Sequence, residues 1–295
     1  MLAAGSAPVG RPVDPAPVRA LPEGFHAERG RGTIVVARLD LVHGVRALDL
    51  AGRGGLETLI GRGTPGPAGR GATAIVKWPD GGPTLVVRRL LHGGVLGGLW
   101  GDRFATPNRP IDELCLTADL ASRGVPVLAP ALALGERRVG AWHLAYATVQ
   151  APRAVDALRW LQAGPDRAAM DRAAVALGHA VRRFHDAGGF HADLHVKNLM
   201  LEEHQGGFRA LVIDLDRARL VLGMTPDERM SQLMRIFRSL VKRDLVEKVG
   251  ARGCARFFQA YCADDRALRR AMWRRIDAEL RSIAIHRLAY RRGRS

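Results

Sequence analysis

The segment His191-Ala192-Asp193-Leu194-His195-Val196-Lys197-Asn198, with Val212-Ile213-Asp214-Leu215-Asp216 beyond it, decides the fold of this 295-residue chain. Between the two lie short apolar runs, Leu199–Leu201 and Phe208–Ile213, around a polar turn from Glu202 to Gly207, and this pattern reads as a hairpin. An Asp, an Asn five residues on and an Asp ending the next strand gather three oxygen-bearing side chains around one loop and one hairpin. Phosphoryl transfer needs such a set. One carboxylate orients the attacking hydroxyl and takes its proton, while an amide and a second carboxylate hold Mg²⁺ on the nucleotide phosphates. Singly, each is a common loop residue that satisfies backbone groups, and His191 alone reads as a packed, hydrogen-bonded histidine. The joint spacing carries the functional reading.

Upstream of the loop, Ala169, Met170, Ala173, Leu177, Ala180, Val181 and Phe184 recur at helical spacing from Asp166 to Ala187, and Gly188 closes that helix. A second helix is expected from Pro110 to Arg123, ended by Gly124. The rest of the first half is β-like. Thr33–Leu39 is a short strand, and two runs, ATAIVKW and PTLVVRRL, flank a turn at Pro79-Asp80-Gly81-Gly82. Residues 125–151 read as further strands broken at Gly135-Glu136-Arg137. From Pro226 onward the pattern is helical to the end. Residues 1–24 are rich in Pro, Ala and Gly without hydrophobic period and read as a disordered leader. The expected class is α+β, with a small β-rich N-lobe (25–150) and a larger, mainly helical C-lobe (151–295).

Hydrophobic residues at 47% and charged residues at 25% exclude wholesale disorder. The formal charge of +16 points to an anionic partner: nucleic acid, a phosphorylated substrate or an acidic membrane surface. Half of it lies between Arg266 and Ser295, where ten Arg stand against Asp277 and Glu279. Met272, Trp273, Ile276, Leu280, Ile283 and Leu288 are interleaved there, so the segment reads either as a helix packed on the large lobe or as a basic amphipathic surface for anionic lipid. Three cysteines without CxxC spacing fit a reduced, cytoplasmic setting and no structural zinc. No apolar run is long enough to span a membrane, so any membrane contact is expected to be peripheral.

The HxDxxxxN loop followed by an apolar strand and Asp resembles the protein-kinase-like superfamily. More narrowly, Ile213-Asp214-Leu215-Asp216-Arg217 is similar to the IDFDR-type segment of the lipopolysaccharide kinases that phosphorylate 3-deoxy-D-manno-octulosonic acid (Kdo) or heptose. Leu85-Val-Val-Arg88-Arg-Leu-Leu-His-Gly93-Gly94 is similar to that family's LxLRxxxRGG, with His92 where it has a second Arg. Glu113 and Gly124-Val-Pro126-Val resemble its helix-C Glu and the turn behind it. The resemblance covers roughly residues 60–220.

It implies a bilobal kinase fold that transfers the ATP γ-phosphoryl group, with Mg²⁺, to a sugar hydroxyl of the lipopolysaccharide inner core, on Kdo-lipid A. The enzyme would sit peripherally on the inner face of the bacterial inner membrane. Asp193 is then the base or orienting group, Asn198 and Asp214 hold Mg²⁺, and His195 and Asp216 are auxiliary. Arg88, paired with Glu113, takes the place of the protein-kinase strand Lys as phosphate grip. Gly69 and Gly71, preferred over Gly61-Arg62-Gly63, form the phosphate loop. Lys77 mimics a VAIK lysine but lies one strand early and reads as an exposed strand end. Thr148 to Ala151 would link the lobes and face the adenine. The rivals are a heptose kinase, a protein Ser/Thr kinase (disfavoured because no APE-like segment follows Asp214), a nucleic-acid binder without a supporting motif, and a pseudokinase.

Overall fold

The computed structural model describes residues 20–66, 73–92, 101–204 and 206–276. Seven antiparallel strands form the first sheet: β1 (Phe25–Gly30), β2 (Thr33–Arg38), β3 (Thr64–Pro65), β4 (Thr73–Lys77), β5 (Thr84–Arg89), β6 (Pro130–Arg138) and β7 (Ala141–Val149). Their order across the sheet is β1-β2-β6-β7-β5-β4-β3. Alternation sends Leu85 and Val87 of β5 to one face, with Val35, Leu132, Leu134, Ala145 and Ala147. Two short helices, α1 (Val42–Ala47) and α2 (Gly55–Gly61), cover that face through Val45, Leu56 and Leu59, joined by Leu41 just before α1. The other face packs Val36, Ala133 and Tyr146 against Ile111 and Leu114 of α3 (Asn108–Ser122).

One element was not read from sequence and one reading needed correction. The glycine-rich stretch before β3 contains α2, because Leu56, Leu59 and the partly buried Ile60 find the sheet face. Gly135-Glu136-Arg137 is not a turn but lies inside β6. The reversal falls at Val139-Gly140, both at positive φ. The charge at Glu136 has a structural use: its carboxylate is buried, accepts from the Gly54 and Leu56 N–H groups at the start of α2, and is paired with Arg138.

The large core joins α4 (Ala157–Gln162), α5 (Arg167–Asp186), α6 (Pro226–Val241), α7 (Val246–Cys262) and the helical residues 266–276. Asp166 caps α5 by accepting from Ala169 N–H. Thr225 and Glu228 form a reciprocal capping box at the start of α6. The expected hairpin is present as β10 (Leu199–His204) and β11 (Gly207–Val212), with a tighter turn than the polar residues suggested. β10 also pairs with β8 (Ala154–Asp156), and β9 (Gly189–His191) pairs with β12 (Ala218–Leu220). Behind α3, the turn after Gly124 enters the large core through Val125 and Val127, and the Pro126 carbonyl accepts from Val212 N–H at 2.9 Å. The segment after α3 is thus tied to the strand that leads into Asp214.

Candidate active site

The loop between β9 and β10 is held from beneath by α6. Gln232 Oε1 accepts from the His191 N–H at 3.1 Å, and Ser239 Oγ accepts from the Val196 N–H at 3.1 Å. His191 is buried, and its Nδ1 accepts from the Asp193 N–H at 3.1 Å. Burial lowers its basicity against the pull of Asp214, and the ring braces the loop. Asn198 is also buried, and its Nδ2 donates to the Asp193 carbonyl at 3.0 Å. The Asn198 carbonyl in turn accepts from Ile213 N–H at 2.9 Å, joining the loop to the strand before Asp214. The Asp193 carboxylate is half exposed and 3.7 Å from His195 Nε2; His195 Nδ1 is buried without a partner.

Asp214 stands at φ 59°, ψ 57°, where the chain turns out of β11. Its carboxylate accepts from Arg88 Nη1 at 2.6 Å, while Arg88 Nη2 donates to both Glu113 oxygens at 2.8 Å. One guanidinium from β5 therefore bridges the helix-α3 carboxylate and the Asp214 turn. Arg109, one helical turn before Glu113, makes a two-pronged pair with Asp216: Nε to Oδ1 at 2.6 Å, and Nη2 to Oδ2. Asp216, named from sequence as an auxiliary group, is paired with Arg109.

Three carboxylates and two guanidiniums converge here, and the charge imbalance falls on the most buried member. Burial is the largest influence on Glu113, with Arg88 opposing it and Asp216 and Asp214 adding to it. The outcome is a carboxyl pushed up to about 7. Burial works against Asp216 as well, but Arg109 wins and holds it below the usual carboxylate range.

Sequence reasoning brought Asp193, Asn198, Asp214, Arg88 and Glu113 forward, and the fold gathers them between the sheet and the helical body. Gly69, Gly71, Gly93 and Gly94 lie outside the described residues. Gly61 ends α2 and Gly63 precedes β3. Lys77 is an exposed strand end, as its position implied. His92 binds the Arg103 carbonyl at 2.7 Å and stacks on Phe104. Arg109, Gln232 and Ser239 were missed. Arg109 had a signal, the four-residue spacing from Glu113 that places both on one face of a helix. The two α6 residues had none, since a polar residue on an amphipathic helix is ordinarily solvated.

An antiparallel sheet whose strand arginine is paired to a helix glutamate, set over a helical body whose HxDxxxxN loop and strand-end Asp meet that arginine, defines a phosphotransferase of protein-kinase-like fold. Residues 64–261 match the lipopolysaccharide kinase (Kdo/WaaP) family, and the chain belongs to it. It is 32% identical over 178 residues to the 3-deoxy-D-manno-octulosonic acid kinase of Xylella fastidiosa (strain 9a5c), covering 59% of this chain and 68% of that one. The enzyme of the same name from Xanthomonas axonopodis pv. citri (strain 306) matches with the same identity and coverage. That of Stenotrophomonas maltophilia (strain R551-3) is 29% identical over 189 residues, 60% of this chain and 69% of that one. The solved structure of WaaP in complex with acyl carrier protein overlays 80% of this chain and 95% of its own at 19% identity, with a TM-score of 0.49. Membership makes the chain a phosphotransferase that acts on a sugar hydroxyl and implies ATP as donor. Among the described residues no helix is long and apolar enough to cross a membrane.

Proposed function

We propose that this enzyme transfers the γ-phosphoryl group of ATP to a hydroxyl of Kdo in the lipopolysaccharide inner core. The observation that carries the reading is the convergence of Asp193, Asn198 and Asp214 on one loop and hairpin, with Arg88 joining Asp214 to Glu113. The named relatives supply the acceptor.

In this reading Asp193, half exposed on a braced loop, orients the sugar hydroxyl and takes its proton. Arg88 grips the phosphates from β5 while Glu113 fixes its guanidinium. Donor chemistry fits Mg²⁺: Asp214 offers a carboxylate 46% exposed, and Asn198, its amide nitrogen committed to the Asp193 carbonyl, has its oxygen left to offer. Among the described residues no cluster of three or more His, Cys, Asp or Glu forms a cage, which Mg²⁺ held largely by phosphates and water does not need. Mg²⁺, when bound, would neutralise the charge developing on the transferred phosphoryl group. Arg88 then exchanges Asp214 for phosphate, and Glu113 keeps it in place. Positioning and charge neutralisation supply the rate.

A sugar acceptor is further supported by the short path after Asp216: β12 ends at Leu220 and α6 begins at Pro226, which leaves little room for a peptide platform. We also propose a division into lobes near residue 150 and peripheral attachment to an anionic membrane. For the second, Trp273 is 56% exposed on the Arg-rich helical residues 266–276; 277–295 lie outside the described residues. Transfer of ³²P from γ-labelled ATP to Kdo-lipid A, beside Asp193→Ala and a generic protein substrate, tests the function. Label on the lipid that is lost in the variant supports the reading; label on protein alone replaces it with a protein kinase.

A further inference from the structure

The arginines around the site divide into two groups. Arg88 and Arg109 are engaged by Glu113, Asp214 and Asp216. Arg217 and Arg219 have no ion pair among the described residues, and both are exposed, with the half-buried Ala218 between them. Arg217 closes the short helical turn Leu215–Arg217, and Arg219 lies on β12.

Their backbone is part of the catalytic frame. β12 pairs with β9, the strand that enters the Asp193 loop, with Ala218 opposite His191 and Arg219 opposite Phe190. The Arg217 carbonyl accepts from the Ala192 N–H at 3.3 Å, one residue from Asp193. The Arg219 guanidinium lies over the Phe190 ring, 4.3 Å from its centroid. Stacking on a face restrains this long side chain and leaves its N–H edge open to a planar, two-oxygen anion.

The neighbouring cleft of about 400 Å³ does not compete for such a group. Asp112, Glu113 and Asp216 line it, and its arginine, Arg109, is already neutralised by Asp216. A carboxylate approaching Asp193 finds no free guanidinium on that side, whereas Arg219, stacked on Phe190, is held by no ion pair on this one.

We propose that Arg217 and Arg219 are the acceptor-recognition residues of this kinase, with Arg219 the anchor for the carboxylate of an acidic sugar. The proposal rests on the Kdo reading above and adds which group of the acceptor is recognised and by what. An acid sugar would be selected over a neutral one by a charge-assisted fork beside the reacting hydroxyl.

The test uses the full-length enzyme, ATP and two acceptors: Kdo-lipid A and the same compound with the Kdo carboxyl as its methyl ester. Wild type and Arg219→Gln are compared for KM and kcat on each, with Arg217→Gln in parallel and ATP binding by calorimetry as the folding control. On the acid acceptor, Arg219→Gln is expected to raise KM about tenfold or more, with a much smaller change in kcat. Wild type on the ester is expected to lose as much, and Arg219→Gln on the ester to lose nothing further. Equal KM for wild type and both variants on the acid acceptor overturns the proposal, as does equal use of acid and ester by wild type. Wild type that binds ATP but phosphorylates neither acceptor refutes the Kdo reading, and the proposal falls with it.

Discussion

Glu113→Gln should stabilise the protein at neutral pH while crippling it as a kinase. The Glu113 side chain is 2% exposed and shares Arg88 with Asp214, and its carboxyl sits at about 7 in the fold. In the unfolded chain it returns to its ordinary value of 4.5. A folded-state value above the unfolded one means that stability is fully present below pH 4.5 and is lost as pH rises to about 7. At about 1.4 kcal/mol for each unit of difference, the ionised carboxyl costs about 3 kcal/mol at pH 7 and above. Glutamine keeps the shape and an acceptor for Arg88 but cannot ionise. Urea unfolding should find the variant equal to wild type near pH 4 and more stable by about 3 kcal/mol at pH 7.5, the gap opening between the two. Transfer activity should fall by about a hundredfold or more, because Arg88 loses the charge that fixes it as it lets go of Asp214. A variant less stable than wild type at pH 7.5 would refute the reasoning: the carboxylate would then be a net-favourable partner and the burial argument wrong.

The remaining expectations are briefer. Arg109 and Asp216 join α3 to the turn after Asp214 across 107 residues of sequence. Arg109→Asp and Asp216→Arg should each lower kcat, and the double exchange should recover part of it; no recovery would mean the pair does not position that turn. At Gly178 on α5, an added Cβ would lie 2.5 Å from the Phe257 carbonyl and 2.9 Å from the Ala260 Cβ on α7. Gly178→Ala should therefore cost about 1–3 kcal/mol through overpacking, read from the denaturation midpoint. His185 is buried with Nδ1 accepting from the Tyr261 hydroxyl at 2.7 Å, and burial, helped by Arg229 and Arg182, pushes it down to about 3. Here the folded value lies below the unfolded one, so stability is present above pH 6.5 and lost as pH falls. From pH 7 to 5 wild type should lose about 2 kcal/mol that His185→Gln does not; equal losses would show that His185 takes up its proton in the fold.

Much of the site was legible in the chain because its parts are local. Asp193, Asn198 and the hairpin to Asp214 fall within one continuous segment, so spacing alone implied that they meet. The caps of α5 and α6, at Asp166 and Thr225, are likewise short-range chemistry that residue types announce. Reading failed where a distant surface overrode local composition. The glycine-rich segment yielded α2 because the sheet offered its leucines a face, and the charged Gly135-Glu136-Arg137 stayed in β6 because Glu136 could cap that helix.

Charge pairing marks the same boundary. The chain by itself determined which groups could carry phosphoryl transfer, since their types and spacings are written in order along it. Only the tertiary structure decided which distant carboxylates the arginines take: Asp214 on Arg88 and Asp216 on Arg109. Electrostatic attraction acts through space and falls off with distance, so partners more than a hundred residues apart become neighbours only once the sheet and the helical body have packed.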